Sequence, residues 1–285
     1  MEQTFLGRMA VNPILFAGGD QRTLAALEYL TRRGIPVLSY ALTHTDPVTV
    51  PLSGLVLPYP ALKDGALRTP LQGLRLTIED VMEQNRIPPH LPATGGPLPQ
   101  RYFSDYTDLS LREDLKLRNA VTTAEGALEL ILHNTDRALF GMPCLIIGYG
   151  AIGARLAQIL SALGAKVTVA ARRPESRLQA ELAGYGARDT AGLRGDGFDV
   201  VCNTVPARLL SEEALRECRG LMLELASVPG GWDPVRAREL GCRHCAGAAL
   251  PGKVAPVTAG EDLAKTVIDI LIRPQEKGSG TVLGT

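Results

Sequence analysis

Residues 144–170 read Cys-Leu-Ile-Ile-Gly-Tyr-Gly-Ala-Ile-Gly-Ala-Arg-Leu-Ala-Gln-Ile-Leu-Ser-Ala-Leu-Gly-Ala-Lys-Val-Thr-Val-Ala. Leu145–Ile147 is an apolar run too short for a helix, and it suits a strand buried on both faces of a parallel sheet. Gly148, Gly150 and Gly153 follow at the G-x-G-x-x-G spacing. In that pattern the first glycine permits the tight turn and the second lets backbone amides approach a pyrophosphate. The third lets the next helix pack on the strand. A diphosphate is then expected on the helix N-terminus, at Ala151, Ile152 and Gly153. Leu156, Ile159, Leu160 and Leu163 recur at helical spacing, Gly164 supplies the stop, and Lys166–Ala170 resumes as a strand. The stretch is a complete β-α-β nucleotide-binding unit.

Working outward from it, the second strand ends in Ala171-Arg172-Arg173, where an NAD site usually carries an acidic residue for the ribose 2′-hydroxyl. Two guanidinium groups there suit a 2′-phosphate, so NADP is the expected cofactor. A polar helix over 175–183 follows, and then Phe198–Pro206, whose apolar centre reads as another strand. Asn203, Thr204 and Val205 lie at its carboxyl end, the edge that faces a cofactor in a doubly wound sheet. A capped helix beginning at Ser211 leads to a strand over 221–226, followed by Ser227-Val-Pro-Gly-Gly231. Ser227 joins the expected cofactor contacts.

The N-terminal half repeats the logic. Ile14–Ala17 is a short apolar run ending at Gly18-Gly19-Asp20. Leu24, Leu27 and Leu30 then recur at helical spacing up to Gly34, and Val37–Tyr40 resumes as a strand. This second glycine turn lies at a strand's carboxyl end, where ligands bind in open α/β sheets. Gly54–Pro58 reads as a further strand, Ile78–Gln84 as a short helix behind a capping box at Thr77 and Asp80, and 88–100 as a Pro- and Gly-rich loop. From Asp108 to Leu139 helix formers run on without a proline. Leu111, Leu115 and Leu117 are expected in a first helical piece, and Thr122 or Thr123 is then expected to cap a second, with Glu125 or Gly126 in its first turn and Ala127, Leu128, Ile131, Leu132 and Leu139 buried. Residues 250–260 read as a stiff loop before a last helix over 261–272, and 278–285 as a disordered tail.

The expected fold is therefore α/β with two α/β domains: a flavodoxin-like or Rossmann-like N-terminal domain and an NAD(P)-binding Rossmann domain, joined by a long bridging helix. The expected limits are 1–118 for the first domain, 119–140 for the bridging helix, 141–252 for the Rossmann domain and 253–285 for the C-terminal loop, helix and tail. At 285 residues both domains can bury a core. Lys plus Arg and Asp plus Glu both total 30, so no global field points to nucleic acid or an anionic membrane. No window reaches the apolar length of a membrane span. Residues 1–10 contain Glu2 and Arg8 and no long apolar run, so no signal peptide is expected and the compartment expected is the cytoplasm. The five cysteines do not suggest a disulfide framework, and Cys242-Arg-His-Cys245 lacks a second ligand pair, so no metal is expected.

Taken together, these motifs resemble the A subunit of dipicolinate synthase. The resemblance rests on Gly18-Gly-Asp-Gln-Arg22, Arg112-Glu-Asp114, Asn119 with Thr123-Ala-Glu-Gly126, Asn134-Thr-Asp136 and the Gly148–Gly153 fingerprint. It continues through Asn203-Thr-Val-Pro206, Leu225-Ala-Ser227 with Pro229-Gly-Gly231, and Leu250-Pro-Gly252 with Thr258-Ala-Gly260. The chain departs from the family pattern at Ala151, where an arginine is common, and at Val228, where a basic residue precedes Pro-Gly-Gly. The resemblance implies NADP-dependent oxidation of dihydrodipicolinate to dipicolinate, with a flavoprotein-like B subunit as partner, in the mother-cell cytoplasm of a sporulating bacterium.

Aromatising such a substrate requires a hydride acceptor, a base for one proton and cations for two carboxylates. The candidates are Lys253 as a carboxylate anchor, Arg22 as a second cation, Glu125 and Asp20 as bases, and Thr123 at the start of the helix that faces the substrate. A homo-oligomer is expected, as for many α/β enzymes. The alternatives are a hydroxyacid or methylenetetrahydrofolate type dehydrogenase, which shares the scaffold, and a non-catalytic, NADP-sensing protein.

Overall fold

The computed structural model describes residues 12–273, so the expectations for 1–10 and 278–285 lie outside the described residues. The chain divides into two compact units, one running up to Lys116 and resuming at Pro256, the other spanning Leu117–Ala255.

The first unit contains β1 (Ile14–Ala17), α1 (Gln21–Arg32), β2 (Val37–Tyr40) and β3 (Gly54–Val56), then a two-stranded hairpin of β4 (Leu62–Lys63) and β5 (Ala66–Leu67). It continues with α2 (Ile78–Gln84), β6 (Ala93–Gly95) and β7 (Tyr106–Asp108). Its main sheet is parallel in the order β2-β1-β3-β6-β7, the flavodoxin-like arrangement once the hairpin is set aside. Ile14 to Ala17 are all buried, as expected for a strand covered on both faces. The 88–100 stretch is not simply loop, because β6 lies within it and pairs with β3 and β7. Three residues, one of them Thr94 and one Gly95, are too few to display a period.

A continuous helix, α3 (Glu113–Asn134), carries the chain from one unit to the other. The two expected helical pieces are one helix, unbroken at the threonines and ending at Asn134. Thr122 and Thr123 lie in mid-helix and both donate to Asn119 O, at 3.3 and 2.6 Å, so neither is a cap and Glu125 is not in a first turn. Ala124, Ala127 and Ile131 form the buried stripe, whereas Leu132 is exposed.

The second unit runs through β8 (Pro143–Ile147), α4 (Ala151–Ala162), β9 (Lys166–Ala170), α5 (Pro174–Leu182), β10 (Gly186–Arg188), β11 (Val200–Asn203), α6 (Glu212–Glu217), β12 (Leu221–Glu224), α7 (Pro234–Glu239) and β13 (Arg243–Ala246). The sheet order β10-β9-β8-β11-β12-β13, parallel throughout, is the 3-2-1-4-5-6 order of a dinucleotide-binding fold. Its topological switch point falls between β8 and β11.

The expected stiff loop at 250–260 is helical instead: α8 (Leu250–Val254) and α9 (Pro256–Val267), the latter extended by a π turn over Ile268–Ile272. Pro251 and Pro256 sit in first turns, where a missing N–H costs nothing. Leu250 is buried against α3, since a Cβ on Gly126 would stand 2.9 Å from it. In the first unit α9 packs on α1, and Gly260 permits the approach: a Cβ there would lie 2.5 Å from both Ala25 Cβ and Arg22 O. Among the described residues no helix is long and apolar enough to cross a membrane.

Candidate functional site

The glycine turn after β8 divides its labour among three positions. Gly148 has φ +98°, and a Cβ on it would meet Thr204 Oγ1 at 2.4 Å. Gly153 faces its own turn, with Gly148 O only 2.2 Å from where a Cβ would be. Gly150 differs: it is the N-cap of α4, and among the described residues nothing lies within 4 Å of its would-be Cβ. The helix has no side-chain cap, and among the described residues no acceptor meets the amides of Ala151, Ile152 and Gly153. Free N–H groups, a positive helix end and open space above a glycine are what a diphosphate requires. The residues present therefore fit a dinucleotide.

Across the switch point, Thr204 closes on the same turn, its Oγ1 and its amide both donating to Ile147 O at 2.9 Å. Arg172 and Arg173 are exposed after β9, with no acidic residue between them and the strand. Arg177 donates to the carbonyls of Ala171 and Arg172, each at 2.8 Å, and so fixes the backbone that carries them.

Asn203 is placed differently from the expectation that it faces the cofactor. It is fully buried, donates from Nδ2 to Val205 O at 2.8 Å and to Glu224 Oε1 at 2.7 Å, and accepts from Val205 N at 3.1 Å. Its amide is spent on the protein. Glu224, which the sequence did not single out, also accepts from Ala226 N at 2.9 Å and Gly231 N at 2.7 Å. One half-buried carboxylate thus holds the whole loop after β12. Ser227 is exposed on that loop and Val228 stands at its tip, 94% exposed. Val205 packs over Gly148, its Cγ2 lying 2.6 Å from the would-be Cβ.

Glu125 on α3 and Lys253 on α8 are both exposed, and neither has a hydrogen bond or ion pair among the described residues. Each adjoins a residue of the contact between the two helices, Gly126 and Val254. Tyr149 and Ile152 of the nucleotide turn pack on the same core as Ala124, Ala127 and Leu250, so one core supports these elements. Thr123 is buried and bonded within its helix.

In the first unit, the Gly18-Gly19-Asp20 turn has its amides occupied. Gly18 N donates to Tyr40 O at 2.7 Å, Gly19 N to Arg68 O at 2.8 Å and Asp20 N to Thr23 Oγ1 at 3.3 Å. Asp20 caps α1 with its own carboxylate. It also receives Arg22 Nε at 3.0 Å and Nη2 at 2.8 Å, while the same Nη2 donates to Tyr59 O at 2.7 Å. Arg68 adds a second cation at 3.4 Å. Burial alone would raise the pKa of Asp20, but Arg22, through hydrogen bonds and charge, together with Arg68 holds it below the ordinary range. A helix end with a carboxylate already on it is not a phosphate site. The two glycine turns therefore serve different ends.

Residues 138–233 match a family model described as "Putative NAD(P)-binding". The match spans the second unit's turn and both strands of its switch point, and it supports a nicotinamide cofactor there. A curated relative, the A subunit of dipicolinate synthase from Bacillus subtilis (strain 168), is 33% identical over 168 residues. That stretch is 58% of this chain and 57% of the relative's length. The crystal structure of the dipicolinate synthase A chain from Bacillus subtilis superposes with a TM-score of 0.80 at 26% identity, covering 94% of this chain and 98% of that one. The chain is similar to the A subunit of dipicolinate synthase. The Bacillus halodurans A subunit of the same synthase also gives a TM-score of 0.80, at 25% identity, over 93% of this chain and 99% of that one. Four of the motifs named in the sequence share a placement. Gly18–Arg22, Gly148–Gly153, Asn203–Pro206 and Leu225–Gly231 lie at or just after the carboxyl ends of strands, the edge on which open α/β sheets bind ligands.

Proposed function

We propose that this protein is an NADP-dependent dehydrogenase that oxidises dihydrodipicolinate to dipicolinate. The observation that carries the reading is the second unit's nucleotide turn, with Gly150 open, the α4 amides free and two exposed arginines in place of an acid after β9. The likeness to the dipicolinate synthase A subunit supports the substrate. Gly148, Gly150, Ala151, Ile152 and Gly153 hold the diphosphate, Arg172 and Arg173 the 2′-phosphate, and Thr204, Val205 and Ser227 border the nicotinamide end. Asn203 contributes by shaping the loop.

When bound, NADP accepts a hydride from the dihydropyridine ring. Loss of that hydride and of one ring proton gives the aromatic dicarboxylate, NADPH and a proton. Glu125 takes the proton: it is exposed and free of partners, whereas Asp20 is saturated by hydrogen bonds and kept anionic, which makes it a weak base. Lys253 pairs with one substrate carboxylate. Arg22 is a support for Asp20 and Tyr59 O, not a free cation. The B subunit of a dipicolinate synthase is the proposed partner, and a homo-oligomer in the cytoplasm of a spore-forming cell the proposed setting.

Mass spectrometry of a reaction containing the chain, NADP and dihydrodipicolinate tests the assignment, run with and without the B subunit. Dipicolinate formation supports it. Unchanged substrate in both reactions, with NADP bound, returns the chain to the hydroxyacid, folate and sensor alternatives.

A further inference from the structure

The carboxyl edge of the first unit's sheet has a cation with unused donors. Arg68 follows the β4–β5 hairpin, and its backbone is fixed against the switch point of that sheet, where Gly19 N donates to Arg68 O at 2.8 Å and Arg68 N to Ala61 O at 3.0 Å. A Cβ on Gly18 would lie 2.4 Å from Arg68 O, so the strap sits directly on the β1 turn. The guanidinium is held near Asp20 at 3.4 Å, an ion-pair distance longer than a hydrogen bond. Among the described residues none of its side-chain donors has a hydrogen-bond acceptor, although the side chain is 28% exposed. The other cations of this edge are committed: Arg22 to Asp20 and Tyr59 O, Arg112 to Asp114 at 2.8 Å, and Lys116 to Glu113 at 2.6 Å.

Charge and geometry then specify a ligand. Asp20 faces two guanidinium groups, Arg22 and Arg68, so positive charge is in excess around that carboxylate, while Asp108 at the end of β7 is a second carboxylate of the same edge. The turn amides are all used within the protein, so recognition falls to side chains. A guanidinium with a free fork is suited to bidentate pairing with a planar carboxylate. We propose that Arg68 binds a carboxylate of a planar dicarboxylate ligand at this edge of the first unit, with Asp20 holding the guanidinium in position. This rests on the dicarboxylate reading above and names a carboxylate-binding residue within the first unit.

Calorimetric titration of the full chain with pyridine-2,6-dicarboxylate and with pyridine-2-carboxylate tests it, using wild type, Arg68→Ala and Arg68→Lys, with NADPH affinity as the control for folding. The expected result is about a tenfold or greater loss of dicarboxylate affinity in Arg68→Ala, with its preference over the monocarboxylate abolished and NADPH binding unchanged. Arg68→Lys keeps the charge beside Asp20 but loses the fork, and recovers part of the affinity. Should Arg68→Ala not fold, an Arg68→Lys affinity equal to wild type overturns the proposal. Dicarboxylate binding that is equal in wild type and Arg68→Ala also overturns it, while leaving the function intact. Arg68-dependent binding of another carboxylate, such as oxalate, without any of the pyridine dicarboxylate keeps the site and removes the substrate assignment. No carboxylate bound by wild type removes both.

Discussion

Asn203 Nδ2 donates to Glu224 Oε1 at 2.7 Å, and this bond joins the last residue of β11 to the last residue of β12. Both ends are busy elsewhere: Asn203 also holds Val205, and Glu224 also accepts from Ala226 and Gly231. Gly230 and Gly231 are needed for the close approach, since Cβ atoms there would lie 2.8 Å from Glu224 Oε2 and 2.7 Å from Asn203. Two loops at the carboxyl edge of this sheet are thereby built as one piece.

Glu224→Gln is predicted to be more damaging than its small change in shape suggests. An NH2 replaces one carboxylate oxygen and must face either the Asn203 amide or a backbone N–H, leaving a donor against a donor. Urea unfolding should show a loss of about 1–3 kcal/mol. The KM for the nicotinamide cofactor should rise with it, because the loop after β12 loses its anchor. Unchanged stability and KM would contradict the role given to Glu224.

The three glycines of the turn should separate stability from binding. Gly150→Ala meets no neighbour, so its stability should stay within about 1 kcal/mol of wild type while nicotinamide nucleotide affinity falls at least about tenfold. Gly153→Ala drives a Cβ into Gly148 O at 2.2 Å and should cost about 1–3 kcal/mol or more. Thermal melts with and without NADPH distinguish the two.

Arg172→Ala combined with Arg173→Ala should lower NADPH affinity about tenfold or more while changing NADH affinity little, because only the former carries the 2′-phosphate. Fluorescence titration with both nucleotides reads this directly. Equal affinities in the wild-type protein would remove the preference for NADP.

The N-terminal unit should lose stability in acid through Asp20. Its folded pKa lies below its unfolded value because Arg22 and Arg68 outweigh the opposing effect of burial. The stabilisation is therefore complete above the unfolded pKa, near about 4, and disappears as pH falls through the lower folded value. Asp20→Asn retains an N-cap but not the charge, so its stability profile should be flatter below about pH 4. Denaturant midpoints across that range would reveal it.

Much of this fold was legible where a local pattern meets a local cause. Cys144–Ala170 shows a buried run, spaced glycines and a periodic helix, and each of the three glycines has the surroundings that its spacing implies. The errors have equally local reasons. Pro251 and Pro256 suggest a loop until they are recognised as first-turn residues, and Thr122 and Thr123 suggest a cap although both bond back to Asn119. The C-terminal helix was legible as a helix, but its place beside α1 depends on the contact that Gly260 allows. Glu224 and Arg68 were not legible at all. Their roles come from Asn203, 21 residues away, and from Asp20, on the far side of β2 and β3 in the chain.

The most direct test of the central claim is the growth of the reduced-nicotinamide absorbance band when the chain, alone and with the B subunit, is mixed with NADP and dihydrodipicolinate. NADPH and dipicolinate are expected in equal amounts, with NAD a poorer acceptor. Tight NADP binding with no reduction under either condition would contradict that claim.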